Sequence, residues 1–279
     1  MLSYRHAYHA GNHADVFKHL CLTLILEKLL EKDKPLTYMD SHAAAGLYNL
    51  DGDMAQKTQE YAEGIKRLLN ASSSLPVGQS YLSLVDTLYR SGRYPGSPAI
   101  AAHMLRDKDK LQLIELHNTE FANLHQQFRR DARVSCHHRD GFEGVQALCP
   151  PTPRRGMLLI DPPYEQQNEY DRVIQCVKNL HRRWATGTLA IWYPLLGRAR
   201  NQADGLLARL TSLKPANLFV AELWIKAQSE DYGMHGSGMA VINLPWQVDT
   251  QLEQTLPHLA TVLGKEHGGY RQQWLIEAR

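Results

Sequence analysis

Hydrophobic residues set the first divisions of the chain. From Asp15 to Lys34 the segment is rich in Leu and Ile, with Asp15 at its start and Lys34-Pro35 at its end, which predicts a largely buried helix. Leu36-Thr37-Tyr38-Met39-Asp40 is short and partly β-favouring and runs into Ala43-Ala44-Ala45-Gly46, predicting a first strand and a tight strand-to-helix turn. Between residues 50 and 96 the pattern becomes polar and helical, around Glu60 to Leu69 and Tyr81 to Tyr89, broken by Ser72-Ser73-Ser74-Leu75-Pro76. That stretch predicts a small helical insertion. Ser97-Pro98 then opens a helix, with Ser as N-cap and Pro at the first helical position.

Beyond it, strands and helices alternate. Strands are predicted at Leu111 to Leu116, Arg133 to His137, Met157 to Ile160, Thr188 to Tyr193, Leu218 to Ile225 and Met239 to Leu244. Phe121, Leu124 and Phe128 mark one helical face between them; Tyr170, Val173, Ile174, Val177 and Leu180 mark another, and Leu206, Leu207 and Leu210 a third. Seven strands alternating with helices predict an α/β fold: a Rossmann-like, mostly parallel sheet covered on both faces, in one domain over residues 1–279. Ligands of such sheets bind at the carboxyl ends of the strands, which directs attention to Asp40 to Gly46, Glu115, His138 to Gly141 and Asp161 to Tyr164.

Composition narrows the class. Lys and Arg number 31 against 29 Asp and Glu, so bulk charge does not announce a nucleic-acid binder, although Arg129, Arg130, Arg133, Arg154, Arg155, Arg182 and Arg183 bunch locally. Cys21, Cys136, Cys149 and Cys176 stand far apart, with no C-x-x-C pair, and are expected to be reduced thiols. The first 18 residues are polar and His-rich, and no stretch reaches the about 18 apolar residues of a membrane span, so a cytoplasmic location is expected.

The sharpest chemical signal is Asp161-Pro162-Pro163-Tyr164, directly after the apolar strand Gly156-Met157-Leu158-Leu159-Ile160. A carboxylate at the end of a buried strand must be satisfied, and the two prolines stiffen a backbone without N–H donors. What remains is a row of acceptors. Asp161 Oδ and the Pro162 carbonyl can each take one hydrogen from an exocyclic amine, and the rigid turn can hold Tyr164 against the attached ring. An aryl amine is a poor nucleophile because its lone pair is delocalised, and two fixed acceptors favour its rehybridisation and stabilise positive charge developing on nitrogen. Asp161 is expected to act as an electrostatic acceptor more than as a strong base. Strand plus D-P-P-Y resembles the catalytic motif of amino methyltransferases acting on N6 of adenine or N4 of cytosine.

The expected cofactor side is less regular. After the first strand the run is Asp40-Ser41-His42-Ala43-Ala44-Ala45-Gly46, with one Gly where methyltransferases of this fold usually have several. Glu115 is well placed to accept from ribose hydroxyls, and Asp140-Gly141 to take an adenine amine. The N-terminal run Tyr4-Arg5-His6-Ala7-Tyr8-His9-Ala10-Gly11-Asn12-His13-Ala14-Asp15-Val16-Phe17-Lys18-His19, followed by Asp40-Ser41-His42-Ala43 and D-P-P-Y, resembles the bacterial 23S ribosomal RNA adenine-N6 methyltransferase J family over nearly the whole chain.

The resemblance implies a class I methyltransferase sheet, S-adenosyl-L-methionine as cofactor and 23S rRNA as partner. It implies that His19, His42, Ser97, Glu115, Asp140, Gly141 and Asp161 line the cofactor site, with Asp161 also catalytic. It places Tyr4 and Lys18 close to the target adenine, Lys18 among the catalytic residues with Asp161, Pro162 and Tyr164. Residues 1–18 are expected to form a flexible cap over cofactor and RNA. The target must be unpaired or flipped, since a stacked base cannot present N6. A monomer with no obligate protein partner is expected.

Other readings compete. His6, His9, His13 and His19 have spacings compatible with metal ligands, but no H-E-x-x-H carboxylate accompanies them and Gly11 weakens a helix there, so no metal is expected. A DNA adenine-N6 methyltransferase would use the same D-P-P-Y chemistry, but no added target-recognition domain is visible. A binding-only RNA factor is opposed by the intact motif. A glutamine side-chain methyltransferase usually carries Asn at the position of Asp161.

Overall fold

The computed structural model describes residues 5–71, 75–166, 168–230, 233–264 and 267–277. It opens with a single 3-10 turn (His6–Tyr8) and the long helix α1 (His13–Leu30). Strand β1 (Thr37–Asp40) follows, then β2 (Leu47–Asn49), helices α2 (Asp53–Thr58), α3 (Glu60–Glu63), α4 (Ile65–Asn70) and α5 (Gln79–Tyr89), and β3 (Arg93–Pro95). Helix α6 (Ser97–Met104) leads into β4 (Lys110–Glu115), α7 (Asn118–Phe128), β5 (Val134–His138) and α8 (Gly141–Leu148). Next come β6 (Gly156–Ile160), α9 (Glu169–Arg183), β7 (Thr188–Leu196) and α10 (Ala203–Ser212). Strands β8 (Leu218–Trp224) and β9 (Met234–Ile242), helix α11 (Val248–Leu263) and strand β10 (Gly269–Ile276) complete the chain.

The main sheet has eight strands in the order β10-β8-β9-β7-β6-β1-β4-β5. Strands β5, β4, β1, β6 and β7 are parallel, and β9 runs antiparallel between β7 and β8. All seven expected strands are present. The eighth, β10, pairs antiparallel with β8 at the sheet edge. Its centre, Arg271-Gln272-Gln273, is polar and largely exposed, which suits an edge strand and hides it from a search for apolar runs. Helix α11 was also not expected: Leu252, Leu256, Leu259 and Leu263 repeat at helical spacing, but Pro257 lies inside. Strand β9 starts five residues before its predicted Met239, because Gly236 and Gly238 resemble breakers. At Gly238 a Cβ would sit 2.1 Å from Tyr193 Cζ, so the glycine serves cross-strand packing.

Strands β2 and β3 pair antiparallel and tie the two ends of the helical insertion α2–α5 together. Two apolar layers flank the sheet. One is built from α1, α5, α6 and α11, with Phe17, Leu20, Leu24, Tyr81 and Leu256; the other from α8, α9 and α10, with Phe142, Val173, Val177 and Leu206. Helix α1 is buried from Ala14 to Leu26, including Asp15, Lys18 and His19. Residues 13–18, expected as the end of the N-terminal cap, thus lie in α1. Asn12 accepts a hydrogen bond from Asp15 N at 2.9 Å and caps the helix, and residues 13–18 are its first turns. A one-residue correction applies at α6, whose N-cap is Gly96, with Ser97 already helical.

Among the described residues no helix is long and apolar enough to cross a membrane, and no group of three or more His, Cys, Asp or Glu could hold a metal ion.

Candidate active site

Strand order reverses beside β1, whose neighbours are β6 and β4, and the loops leaving these carboxyl ends part to leave a cavity of about 330 Å³. That size lies within the range of small-molecule sites, about 300–1,000 Å³. Its wall includes Lys18, His42, Glu115, Asp140, Gly141, Asp161, Pro162 and Tyr164, eight of the residues singled out in the sequence. His19 and Ser97 stand outside this wall, and Tyr4 lies outside the described residues.

Asp161 follows β6, every residue of which is buried, so the strand carries the carboxylate to the rim of the core. Lys18 Nζ donates to Asp161 Oδ2 at 2.6 Å and lies 3.0 Å from Asp15 Oδ1. The Asp161 side chain retains 14% exposure and faces the cavity. Tyr164 takes a left-handed φ of +51°; its hydroxyl donates to the Trp192 carbonyl at 2.8 Å, and its ring lies 4.5 Å from that of Tyr170. The tyrosine is thereby anchored as part of the wall, with 8% of its surface exposed.

Behind the wall, Asp40 is fully buried and accepts from Tyr38 Oη at 2.8 Å, Ser97 Oγ at 2.7 Å and His42 N at 3.2 Å. Burial outweighs these donors and pushes its carboxyl up to about 6. Ser97 therefore serves Asp40 with its hydroxyl. His19 Nδ1 bonds to Tyr94 Oη at 2.8 Å, and burial lowers the imidazole to about 3, so it is neutral. Both residues belong to the layer supporting the cavity.

Glu115, ending β4, accepts from His117 N at 2.6 Å and Ala44 N at 2.8 Å, which ties the loop after β1 to the end of β4. Burial raises its carboxyl above the ordinary range. Asp140 caps α8, accepting from Glu143 N at 3.1 Å, and takes Arg172 Nη2 on both oxygens at 2.8 and 2.7 Å. Burial there opposes ionisation, but the Arg172 and Glu143 hydrogen bonds win and hold the carboxyl below its usual range. Gly141 marks a close approach: a Cβ would lie 2.1 Å from Ser41 O and 2.9 Å from the His42 ring. Burial lowers His42 to about 4, leaving a neutral ring edge-on to Phe142 at 5.1 Å.

Several wall residues escaped the sequence reading. In the sequence Asp15 reads as a helix-start residue. Arg172 lies on an amphipathic helix, and nothing in its spacing reveals a partner 32 positions away. Trp192 sits mid-strand, and Glu120, buried at 4%, meets Arg5 at 3.3 Å. Of the N-terminal histidines, His6 Nε2 lies 2.9 Å from Asp15 Oδ2 and His9 Nδ1 2.9 Å from Glu60 Oε1, whereas His13 Nε2 is buried without a hydrogen-bond partner among the described residues.

Comparison with known proteins gives a consistent result. The family described as "Ribosomal RNA large subunit methyltransferase D, RlmJ" matches residues 33–276. "Ribosomal RNA large subunit methyltransferase J" of Escherichia coli (strain K12) is 41% identical over 280 residues, covering 99% of each chain. The protein of the same name from Haemophilus influenzae is 41% identical over 281 residues, covering 99% of this chain and 98% of the relative. A crystal structure of a Legionella pneumophila protein superposes with a TM-score of 0.87 at 33% identity, covering 95% of this chain and 98% of the other.

Proposed function

Because the chain belongs to the RlmJ family, it is an S-adenosylmethionine-dependent ribosomal RNA methyltransferase, and we propose that it methylates N6 of an unpaired adenine in 23S rRNA. The observation that carries the proposal is Asp161, followed by two prolines at the end of a buried strand, exposed to a cavity and hydrogen-bonded there by Lys18.

The wall suits the cofactor. Glu115 offers carboxylate oxygens where ribose hydroxyls need acceptors, Asp140 offers the same for an amine, and Gly141 keeps the loops after β1 and β5 closer than any side chain would allow. S-adenosylmethionine, when bound, supplies an electrophilic sulfonium methyl. The protein's part is to orient the acceptor and to stabilise charge. Asp161 Oδ and the Pro162 carbonyl accept the two amine hydrogens, turn the nitrogen lone pair out of conjugation, and face the positive charge that grows on nitrogen. A proton then leaves that nitrogen after the methyl has transferred.

Extracting the base costs a few kcal/mol in a paired context. Stacking on an aromatic wall returns about 1–3 kcal/mol per base, and Tyr164 is proposed for that contact. Its hydroxyl, engaged with Trp192, fixes the ring in advance.

The proposal predicts label transfer from methyl-labelled cofactor to protein-free 23S RNA, with mass spectrometry finding N6-methyladenosine, and at least tenfold less transfer to duplex DNA. Preferential labelling of DNA, or label on another atom, contradicts it.

A further inference from the structure

Lys18 does not meet Asp161 alone. Its Nζ lies between two carboxylates, 2.6 Å from Asp161 Oδ2 and 3.0 Å from Asp15 Oδ1. We propose that Asp15 is a positioning residue, which holds the Lys18 ammonium between the two carboxylates and leaves the trio with one unit of negative charge facing the amine being methylated.

Asp15 is 1% exposed, and both of its oxygens have polar partners. Oδ2 lies 2.9 Å from His6 Nε2 and accepts from Gly11 N at 2.9 Å; Oδ1 meets Lys18, with His19 Nε2 at 3.9 Å. Burial opposes its ionisation, but His6 and the Lys18 ammonium hold its carboxyl well below the usual range. An acid in the first turn of a helix normally serves the helix dipole from the surface. Here Asn12 already caps α1, so a buried carboxylate adds a desolvation cost that capping does not require.

Charge arithmetic gives that cost a purpose. An amine attacking a methyl sulfonium gains positive charge, and a lone ammonium beside Asp161 would cancel the carboxylate that stabilises it. Asp15 restores the balance. Of the other groups around it, His6 shares Oδ2, His19 is neutral, and Tyr94 and Tyr81, joined behind it at 3.0 Å, are phenols raised by burial. The Trp192 ring, 5.8 Å from Lys18 Nζ, walls the ammonium on another side. Asp15 also ties the turn at His6–Tyr8 to Lys18, so the N-terminal segment and the charge trio are set by one side chain.

The inference rests on the role given to Asp161, and the two can fail separately. In Asp15→Asn, which keeps shape and removes charge, kcat on 23S RNA is expected to fall at least tenfold, while the cofactor Kd by calorimetry changes less than threefold. In a Lys18→Met background the same change should cost less than a further twofold, because the group it positions is gone. A single variant with wild-type kcat, losses that multiply in the double variant, or a loss seen wholly in cofactor Kd would overturn the role. If circular dichroism shows Asp15→Asn unfolded, Asp15→Glu replaces it: the charge stays but is displaced by a methylene, and at least a threefold loss of kcat is expected, against wild-type kcat as the refuting result. Full activity in Asp161→Ala would instead sink the reading of the site itself.

Discussion

Asp161→Ala should lower the methyl-transfer rate at least about 100-fold, the loss expected for a positioned polar catalytic group, while the protein stays folded. Both halves follow from the geometry. Asp161 contributes an acceptor at the cavity wall, where the amine must be held, and its side chain is 14% exposed against 6% for Lys18 and 1% for Asp15, which share that wall. Its removal does not strand Lys18, which keeps Asp15 at 3.0 Å, so no unpaired charge is left buried. A melting curve close to wild type, together with a rate loss measured on 23S RNA, is the expected pair of results. An unchanged rate would remove Asp161 from the chemistry.

The second large effect is expected at Gly141. Its α-carbon stands where the loop after β5 crosses the loop after β1, and the nearest atom to an added Cβ is a backbone oxygen, Ser41 O, at 2.1 Å. Backbone yields less readily than the end of a flexible side chain, so Gly141→Ala must push the two loops apart. Those loops carry His42 and Asp140, His42 N donates to Asp40 at the end of β1, and Ala44 N is held there by Glu115. Cofactor affinity is therefore expected to drop at least tenfold, with a loss of about 1–3 kcal/mol of stability from overpacking. Calorimetric titration and thermal denaturation measure both. Affinity unchanged in a destabilised protein would mean that this crossing does not form the cofactor cradle.

Some of this was legible from residues in order. An apolar five-residue strand ending in Asp161-Pro162-Pro163-Tyr164 announces an acceptor because no packing preference explains a carboxylate there. Glu115 and Asp140 are legible by position, since one ends a strand, the other follows one, and ligands gather at those ends. The Lys18–Asp161 contact spans 143 positions, and no local pattern encodes it. The depth of α1 hid it further: the helix is apolar nearly all round, so nothing marks which side holds Asp15, Lys18 and His19. Ser97 reads as a cap because Ser-Pro is a helix-opening pair, whereas Gly96 caps and the hydroxyl turns to Asp40. At the C-terminal end, edge-strand polarity and an internal proline concealed β10 and α11, elements that extend the sheet and its cover away from the site.

The most direct test of the site is a crystal structure with S-adenosylhomocysteine and adenosine monophosphate bound together. The predicted result has the adenine N6 within hydrogen-bond distance of an Asp161 carboxylate oxygen and of the Pro162 carbonyl, with the cofactor sulfur on the far side of that nitrogen. An adenine whose N6 points away from Asp161, or a sulfur remote from the loop after β6, would contradict it.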